Sequence, residues 1–464
     1  MALPPTIQLC GGPLPKDILS ELDAAHSSGG GILQFFSTRE ARALRAVSRG
    51  LCAAVARFPW ADRTTRIARR LDAWRASFPR ARVANISLRA PRKDPNVWRE
   101  VGRSNTFADC DFVHLRGLRE LNMAYCSQPA ITDAAFAHLG GLQALNMAHC
   151  DQGTITDAAF APLRGIQALK MDQCSQLTGR AFAHLAGIRE LSLARCAQPT
   201  ITDAHFEHLK GGSLKALNIN QCRQLTDRAL THLPGLQDLK IMELRGFKGA
   251  TFDRLAGTIQ TLNMSYCTNV LPEAMVHLRG VKELDVAGCQ QLTDASLVHI
   301  KGVQKLDVAY IERVPEGEAD HDPERTFAFL QHVRGVQELT ITGCNVRDAD
   351  FEHLRGVKKL CMNHCREVTS AAFASLSGVQ DLRMQMCFRV TDAAIEHLRG
   401  VRVLDMRKCT QQGLTQAAIA PLAGVRTLLV GGCGWAVRRA ADGLAGVEER
   451  LNGDDDAEDG VSFI

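Results

Sequence analysis

Leucine returns along this chain about every 22 residues, at Leu121, Leu145, Leu169, Leu191, Leu217, Leu239, Leu262, Leu284, Leu306, Leu339, Leu360, Leu382, Leu404 and Leu428. Around each one, apolar and polar positions alternate. Leu121 and Met123 fall on one side and Asn122 and Ala124 on the other, the period-two pattern of a strand buried on one face. A polar turn follows, and then a Thr-Asp pair, as at Thr132-Asp133, Thr156-Asp157, Thr202-Asp203, Thr226-Asp227, Thr293-Asp294 and Thr391-Asp392. A short oxygen-bearing side chain there can accept from the orphan amides of a first helical turn, so the pattern predicts a helix start. Phe136 and Leu139 then stand three apart on one helical face, as do Phe160 and Leu163, Phe206 and Leu209, and Phe351 and Leu354. Gly141, Gly165, Gly187, Gly280, Gly356 and Gly400 follow where a left-handed C-cap is wanted.

Each unit therefore predicts one strand and one short helix. Such a unit cannot stand alone. Burying one Leu or Met contributes roughly 1.5 to 3 kcal/mol, while ordering each residue costs about 1 to 2 kcal/mol of backbone entropy. Stacked units supply the missing contacts and form a solenoid, with a parallel sheet on the inner side and helices on the outer one. Two copies depart from the pattern. That around Leu239 lacks both the cysteine and the Thr-Asp pair, and that around Leu306 carries an acidic, proline-containing insertion, Glu312 to Arg325, expected to be a surface loop.

Over residues 111 to 445 the unit Leu-x-x-Leu-x-Met-x-x-Cys, followed by Thr-Asp-Ala-x-Phe-x-His-Leu and Gly, resembles the cysteine-containing class of leucine-rich repeat. The expected fold is α/β, a right-handed leucine-rich-repeat solenoid (horseshoe) of about 14 repeats with a small helical domain ahead of it.

Twelve of the sixteen cysteines occupy one position of the repeat. Leu244 and Ile311 replace the thiol in two copies, so the position reads as a small buried hydrophobe. No CxxC pair supports a metal site, and a linear stack of identical turns does not converge N or S ligands tetrahedrally. No metal or cofactor is expected. Ten histidines (His114, His138, His184, His208, His232, His277, His299, His332, His353 and His397) sit just before the apolar residue that closes each helix. With no acidic partner recurring beside them, they read as partly exposed helix ends rather than a catalytic row.

No apolar run of 18 residues occurs, and the first residues lack a basic start with an apolar core. The expectation is an intracellular protein, cytoplasmic or nuclear, with no membrane segment. Net charge is only +5, yet from Arg39 to Arg103 there are 17 basic and 5 acidic residues. Aromatic residues are sparse in that stretch and no nucleic-acid motif is present, so it reads as a solvated linker helix with Trp74 and Phe78 packed on the N-terminal domain, and a nucleic-acid partner is not expected.

At the N-terminus, Pro15 suits a first helical turn, with Ile18, Leu19 and Leu22 along one face, and Leu44, Val47, Leu51 and Val55 recur at helical spacing. In their order Leu14-Pro15, Ile18, Leu19, Leu44, Val47-Ser48-Arg49, Leu51, Val55 and a closing Trp60 resemble an F-box. The stretch Ala24 to Phe36, with Ser27-Ser28-Gly29-Gly30-Gly31, is longer than that motif's link between helices. The resemblance implies docking on a Skp-type adaptor of a cullin ligase, with Leu14, Pro15, Ile18, Leu19, Leu44, Val47, Leu51, Val55 and Trp60 as partner-binding residues. The alternative is a plain helical cap over the first coil. The domain reading is an F-box-like domain over 1–62, a basic linker and cap or irregular first repeat over 63–110, repeats over 111–445, and a disordered acidic tail over 446–464.

If all units share one core, ligand specificity belongs to the positions that vary. The residue after the reference leucine is Asn122, Asn146, Lys170, Asn218, Lys240, Asn263, Asp285, Asp307, Arg383 or Asp405 in ten copies. A second variable column, just before the cysteine, holds His149, Arg195, His364 and all three tyrosines, Tyr125, Tyr266 and Tyr310. Tyrosine offers an apolar face and a polar tip, so both columns are candidate target-binding positions on the concave face. The function expected is the substrate-recognition subunit of a Skp-cullin-F-box ubiquitin ligase, recruiting a protein target without catalytic residues of its own. A non-catalytic interaction scaffold is the alternative.

Overall fold

The computed structural model describes residues 33, 36–46, 49–88, 107–311, 328–444, 447 and 449–451. Leu14, Pro15, Ile18, Leu19, Val47, the insertion and most of the acidic tail lie outside them. The chain divides into two compact units, Met1–Gln176 and Leu177–Ile464.

Among its described residues the first unit holds helices α1 (Thr38–Leu44), α2 (Arg49–Arg57) and α3 (Leu71–Ser77), followed by strands β1 (Val83–Asn85), β2 (Glu120–Asn122), β3 (Ala144–Asn146) and β4 (Ala168–Lys170). The second holds β5 (Glu190–Ser192), β6 (Ala216–Asn218), β7 (Asp238–Lys240), β8 (Thr261–Asn263), β9 (Glu283–Asp285), β10 (Lys305–Asp307), β11 (Glu338–Thr340), β12 (Lys359–Cys361), β13 (Asp381–Arg383), β14 (Val403–Asp405), β15 (Thr427–Leu429) and β16 (Glu449–Leu451). Each reference leucine is the middle residue of its strand, and within a unit the leucines of neighbouring strands pair, as in Leu121↔Leu145 and Leu404↔Leu428. Within each unit the pairings are parallel and in register, because identical coils stacked without offset leave every strand beside the same residues of its neighbour.

The ladder is longer than the leucine pattern. Ala84 of β1 pairs with Leu121, so a strand of the 63–110 stretch joins the ladder. Arg450 of β16 pairs with Leu428, placing a strand where the sequence predicts tail.

The outer segments differ from the short α-helices expected. Most are 3₁₀, including Asp157–Leu163 and Gln416–Leu422, each with an internal proline, Pro162 and Pro421. A 3₁₀ segment rises about 2.0 Å per residue against 1.5 Å for an α-helix, so a short stretch covers the width of a coil with fewer residues. The glycines behave as expected, with φ of +83° at Gly141 and +85° at Gly400. Phe112, Phe136 and Phe160 in the first unit, and Phe182, Phe206 and Phe351 in the second, are fully buried beneath these segments.

The N-terminal helices have a core of their own. Leu44, Leu51, Val55, Trp60, Phe78 and Ala81 form one buried cluster, with Trp74 partly buried against it. The Trp60 and Phe78 rings meet edge to face at 5.6 Å, and the Trp60 indole donates to the Val55 carbonyl at 2.8 Å. The Asp62 carboxylate fastens α1 to the following turn by accepting from the Thr38 amide and hydroxyl at 2.7 and 2.8 Å and from the Thr64 amide at 2.9 Å. Burial pushes that carboxyl up, but hydrogen bonds from Thr65, Thr38 and Thr64 outweigh it and hold it well below the usual carboxylate range.

Candidate recognition face

In most strands centred on a reference leucine the first and third residues lie on the open face while the leucine is buried, as in Glu120–Asn122 and Glu283–Asp285. The third residue is one of the two candidate columns, and it has local work to do. Asn122, Asn146, Asn218, Asn263, Asp285 and Asp307 each accept from the amide two residues on, at 2.9 to 3.2 Å. This closes the strand with an Asx turn. At Lys240 and Arg383 the preceding coil supplies the acceptor. Asn220 serves the Met242 amide beside Lys240, and Asn363 serves the Gln385 amide beside Arg383, both at 2.8 Å. Lys170, Lys240 and Arg383 are exposed.

Asp405 corrects the sequence reading. It is 1% exposed, held by the Arg407 guanidinium at 2.9 and 3.0 Å and by Gln385 at 2.6 Å. The neighbouring side chains take up its charge, so it presents nothing to a ligand.

In the second column every residue before the cysteine position, Tyr125 through Lys408, has positive φ wherever it is not glycine, from 54° at Tyr310 to 64° at Tyr125. Gly288, Gly343 and Gly432 fill the same place. The left-handed conformation costs roughly 1 to 2 kcal/mol per non-glycine residue. It is offset by a ladder bond to the next coil, from the Tyr125 amide to the Ala148 carbonyl at 2.8 Å and from the His364 amide to the Gln385 carbonyl at 2.8 Å.

The side chains of this column meet one another along the stack. Tyr125 stacks on His149 with ring centroids 4.2 Å apart. Arg195 donates to Gln221 at 2.8 Å, and Gln221 donates to Glu243 at 2.7 Å. Tyr266 packs against Gly288 and Tyr310 against Gly343, each glycine lacking the Cβ that would strike the ring. Tyrosine thus alternates with glycine over four successive coils of the second unit. Tyr266 remains 36% exposed.

Beside these rings, Asp285 and Asp307 occupy paired positions on β9 and β10. Asn263 donates to Asp285 at 2.7 Å. Burial and then the Asp307 charge push the Asp285 carboxyl up to about 7, and burial also raises Asp307.

The cysteines of the repeat position lie on the other side of the strands, buried, and thiols within each unit donate to a backbone carbonyl of the preceding coil. Cys150 reaches Met123 at 3.1 Å and Cys289 reaches Met264 at 3.0 Å. Those carbonyls already accept from the amides of Cys126 and Cys267, at 3.1 Å each. An apolar side chain therefore leaves no orphan, which explains Leu244 and Ile311. Burial pushes Cys126, Cys267 and Cys387 up to about 12. Among the described residues, no three His, Cys, Asp or Glu side chains gather as a metal site, and no helix is long and apolar enough to cross a membrane.

The Thr-Asp pair does more than start a helix. Asp133 accepts from the Thr156 amide and hydroxyl at 2.7 and 2.6 Å, one coil further on. Thr156 in turn caps its own segment by accepting from the Ala158 amide at 3.2 Å. Asp109 with Thr132, Asp203 with Thr226, and Asp392 with Thr415 repeat the contact. In the copy around Leu239, the Lys248 and Gly249 amides replace the threonine and donate to Asp227 at 2.8 and 3.0 Å.

The N-terminal candidates also need correction. Leu44, Leu51, Val55 and Trp60 are 0 to 1% exposed, inside the helical core. They shape that module but offer no surface to a partner, because the apolar stripe that suggested docking is consumed by packing on Phe78 and Ala81.

No protein-family profile and no curated protein sequence matches the chain. Solved structures do. A chain of the TLR13–ssRNA13 complex superposes with a TM-score of 0.50 and 14% identity, over 80% of this chain and 59% of that one. The mouse RP105/MD-1 complex gives a TM-score of 0.48 at 13% identity, over 76% and 67%. The yeast Rad7 and Elc1 complex gives 0.44 at 16%, over 87% and 97%. The fold is a leucine-rich-repeat solenoid. In this solenoid the exposed strand residues and the left-handed row form the face that differs from one repeat to the next.

Proposed function

We propose that the protein is the target-recognition subunit of a Skp-cullin-F-box ubiquitin ligase, with no catalytic site of its own. The strand face of the repeats holds a protein target, and residues 14 to 60 dock on a Skp-type adaptor. Partners supply the ubiquitin-charged enzyme, and the contribution of this chain is proximity. The observation that carries the recognition half is the alternation of Tyr266, Gly288, Tyr310 and Gly343 beside Asp285 and Asp307. Broad aromatic faces next to carboxylates suit a segment that mixes apolar side chains with lysine or arginine. The adaptor half rests on the order of Leu14-Pro15, Ile18 and Leu19 ahead of the helical module in the sequence.

The scaffold reading has support of its own. Phe78 and Ala81 belong to the same core as Trp60, and the Arg82 amide donates to the Trp60 carbonyl at 2.7 Å, so the helical module continues directly into the first coil as a cap would. A pull-down of the full chain with a purified Skp adaptor separates the two. Capture by the wild type that is lost on Leu14→Ala with Pro15→Ala supports the ligase. No capture, or capture indifferent to those changes, leaves a non-catalytic protein-binding scaffold.

A further inference from the structure

A pocket of about 340 Å³ opens in the first unit, where α2, the Pro59 turn, the end of α3 and the turn at Arg116 and Gly117 meet. Arg57, Arg75, Arg80, Arg82 and Arg116 line it with Gly117, and no carboxylate does. Other arginines of the same basic stretch are neutralised, Arg63 by Glu120 at 2.7 Å and Arg70 by Asp72 at 3.0 Å. None of the five in the pocket has an ion-pair partner among the described residues.

Arg75 forms the inner wall. Its guanidinium donates to the carbonyls of His114 at 2.6 Å, Arg116 at 2.7 Å and Ala81 at 3.1 Å, and it lies 5.2 Å from the Trp74 ring centroid. These acceptors fix its orientation but leave its charge uncancelled. Burial draws it below the ordinary arginine range. Among the described residues the Arg116 guanidinium meets the ring nitrogen Nδ1 of His138, at 2.9 Å, and no carboxylate. Gly117, with φ +77°, has nothing within 4 Å of where a Cβ would stand, so the backbone of that turn stays open.

Five like charges converging on one concavity repel one another unless an anion offsets them. Guanidinium forks match phosphate oxygens in pairs. The charges gather in a pocket of small-ligand size rather than along a stripe, which is the arrangement for a compact polyanion and not for an extended nucleic-acid backbone. We propose that this pocket binds a small anion carrying two or more phosphate groups.

Pyrophosphate is the probe. Isothermal titration of the full chain at low salt should show one site, and the ligand should raise the melting temperature. Arg80→Glu with Arg82→Glu, both exposed side chains, should weaken binding at least about tenfold, since each reversal replaces a charge-assisted contact by repulsion. Arg57→Glu, on another wall, should do the same independently. Absence of pyrophosphate binding, or equal affinity in both variants, overturns the assignment. So does single-stranded RNA that binds the wild type and is not displaced by pyrophosphate.

Discussion

The ring of Tyr266 occupies the space that a side chain on Gly288 would need, since a Cβ there would lie 2.6 Å from the tyrosine Cδ1. A residue of one coil thus dictates the residue 22 positions later. Gly288→Ala should lower the melting temperature, by about 1 to 3 kcal/mol of overpacking plus the cost of positive φ. Adding Tyr266→Ala should restore part of the loss. If the two changes prove strictly additive in a thermal double-mutant cycle, the contact is not what selects glycine.

The Thr-Asp relay predicts a graded loss between coils. Thr156→Val leaves the amide bond to Asp133 but removes the hydroxyl that donates to Asp133 and accepts from Ala158, and should cost about 1 to 2 kcal/mol by denaturant titration. Val113→Thr, at an exposed site of the same unit, should be nearly neutral.

Asp285 makes stability fall as pH rises. Its folded value near 7 lies above the unfolded carboxylate value near 4, so between these limits the native state binds more protons than the unfolded one. The penalty is absent below the lower value and complete above the upper one. Asp285→Asn keeps the acceptor oxygen for the Ala287 amide and removes the charge next to Asp307. It should raise the melting temperature by several degrees at pH 8 and hardly at all at pH 4, as read by calorimetry across that range.

The buried thiols should resist chemistry. Cys110 is exposed, whereas Cys150, Cys289 and Cys409 are buried and pushed far above neutral pH. An alkylating reagent at pH 8 should modify Cys110 within minutes and reach the buried row only on unfolding, as mass spectrometry of the peptides will show. Cys289→Val should cost about 1 kcal/mol or less, because the Met264 carbonyl retains the Cys267 amide.

Much of this molecule was legible in its residues because the code is local and repeated. A leucine flanked by alternating polar positions specifies a strand wherever it recurs, and a glycine after the outer segment specifies a left-handed cap, so the individual strands at Leu121 through Leu428 could be read without coordinates. The turn chemistry was half legible. Thr156 announces a helix start to its own neighbours, but its bond to Asp133 crosses 23 positions of sequence.

What only the tertiary structure decided depends on neighbours in the stack. It put Asp405 under Arg407, turned Tyr125, Tyr266 and Tyr310 onto a left-handed row against the next coil, and consumed Leu44, Leu51, Val55 and Trp60 in a core with Phe78. It also gathered five arginines, spread from Arg57 to Arg116, around one pocket. A repeated sequence determines the strands and turns of each coil, since those follow from backbone periodicity and local hydrogen bonds. Which faces remain open, and which charges go unpaired, is determined by what the adjacent coil and the N-terminal helices cover.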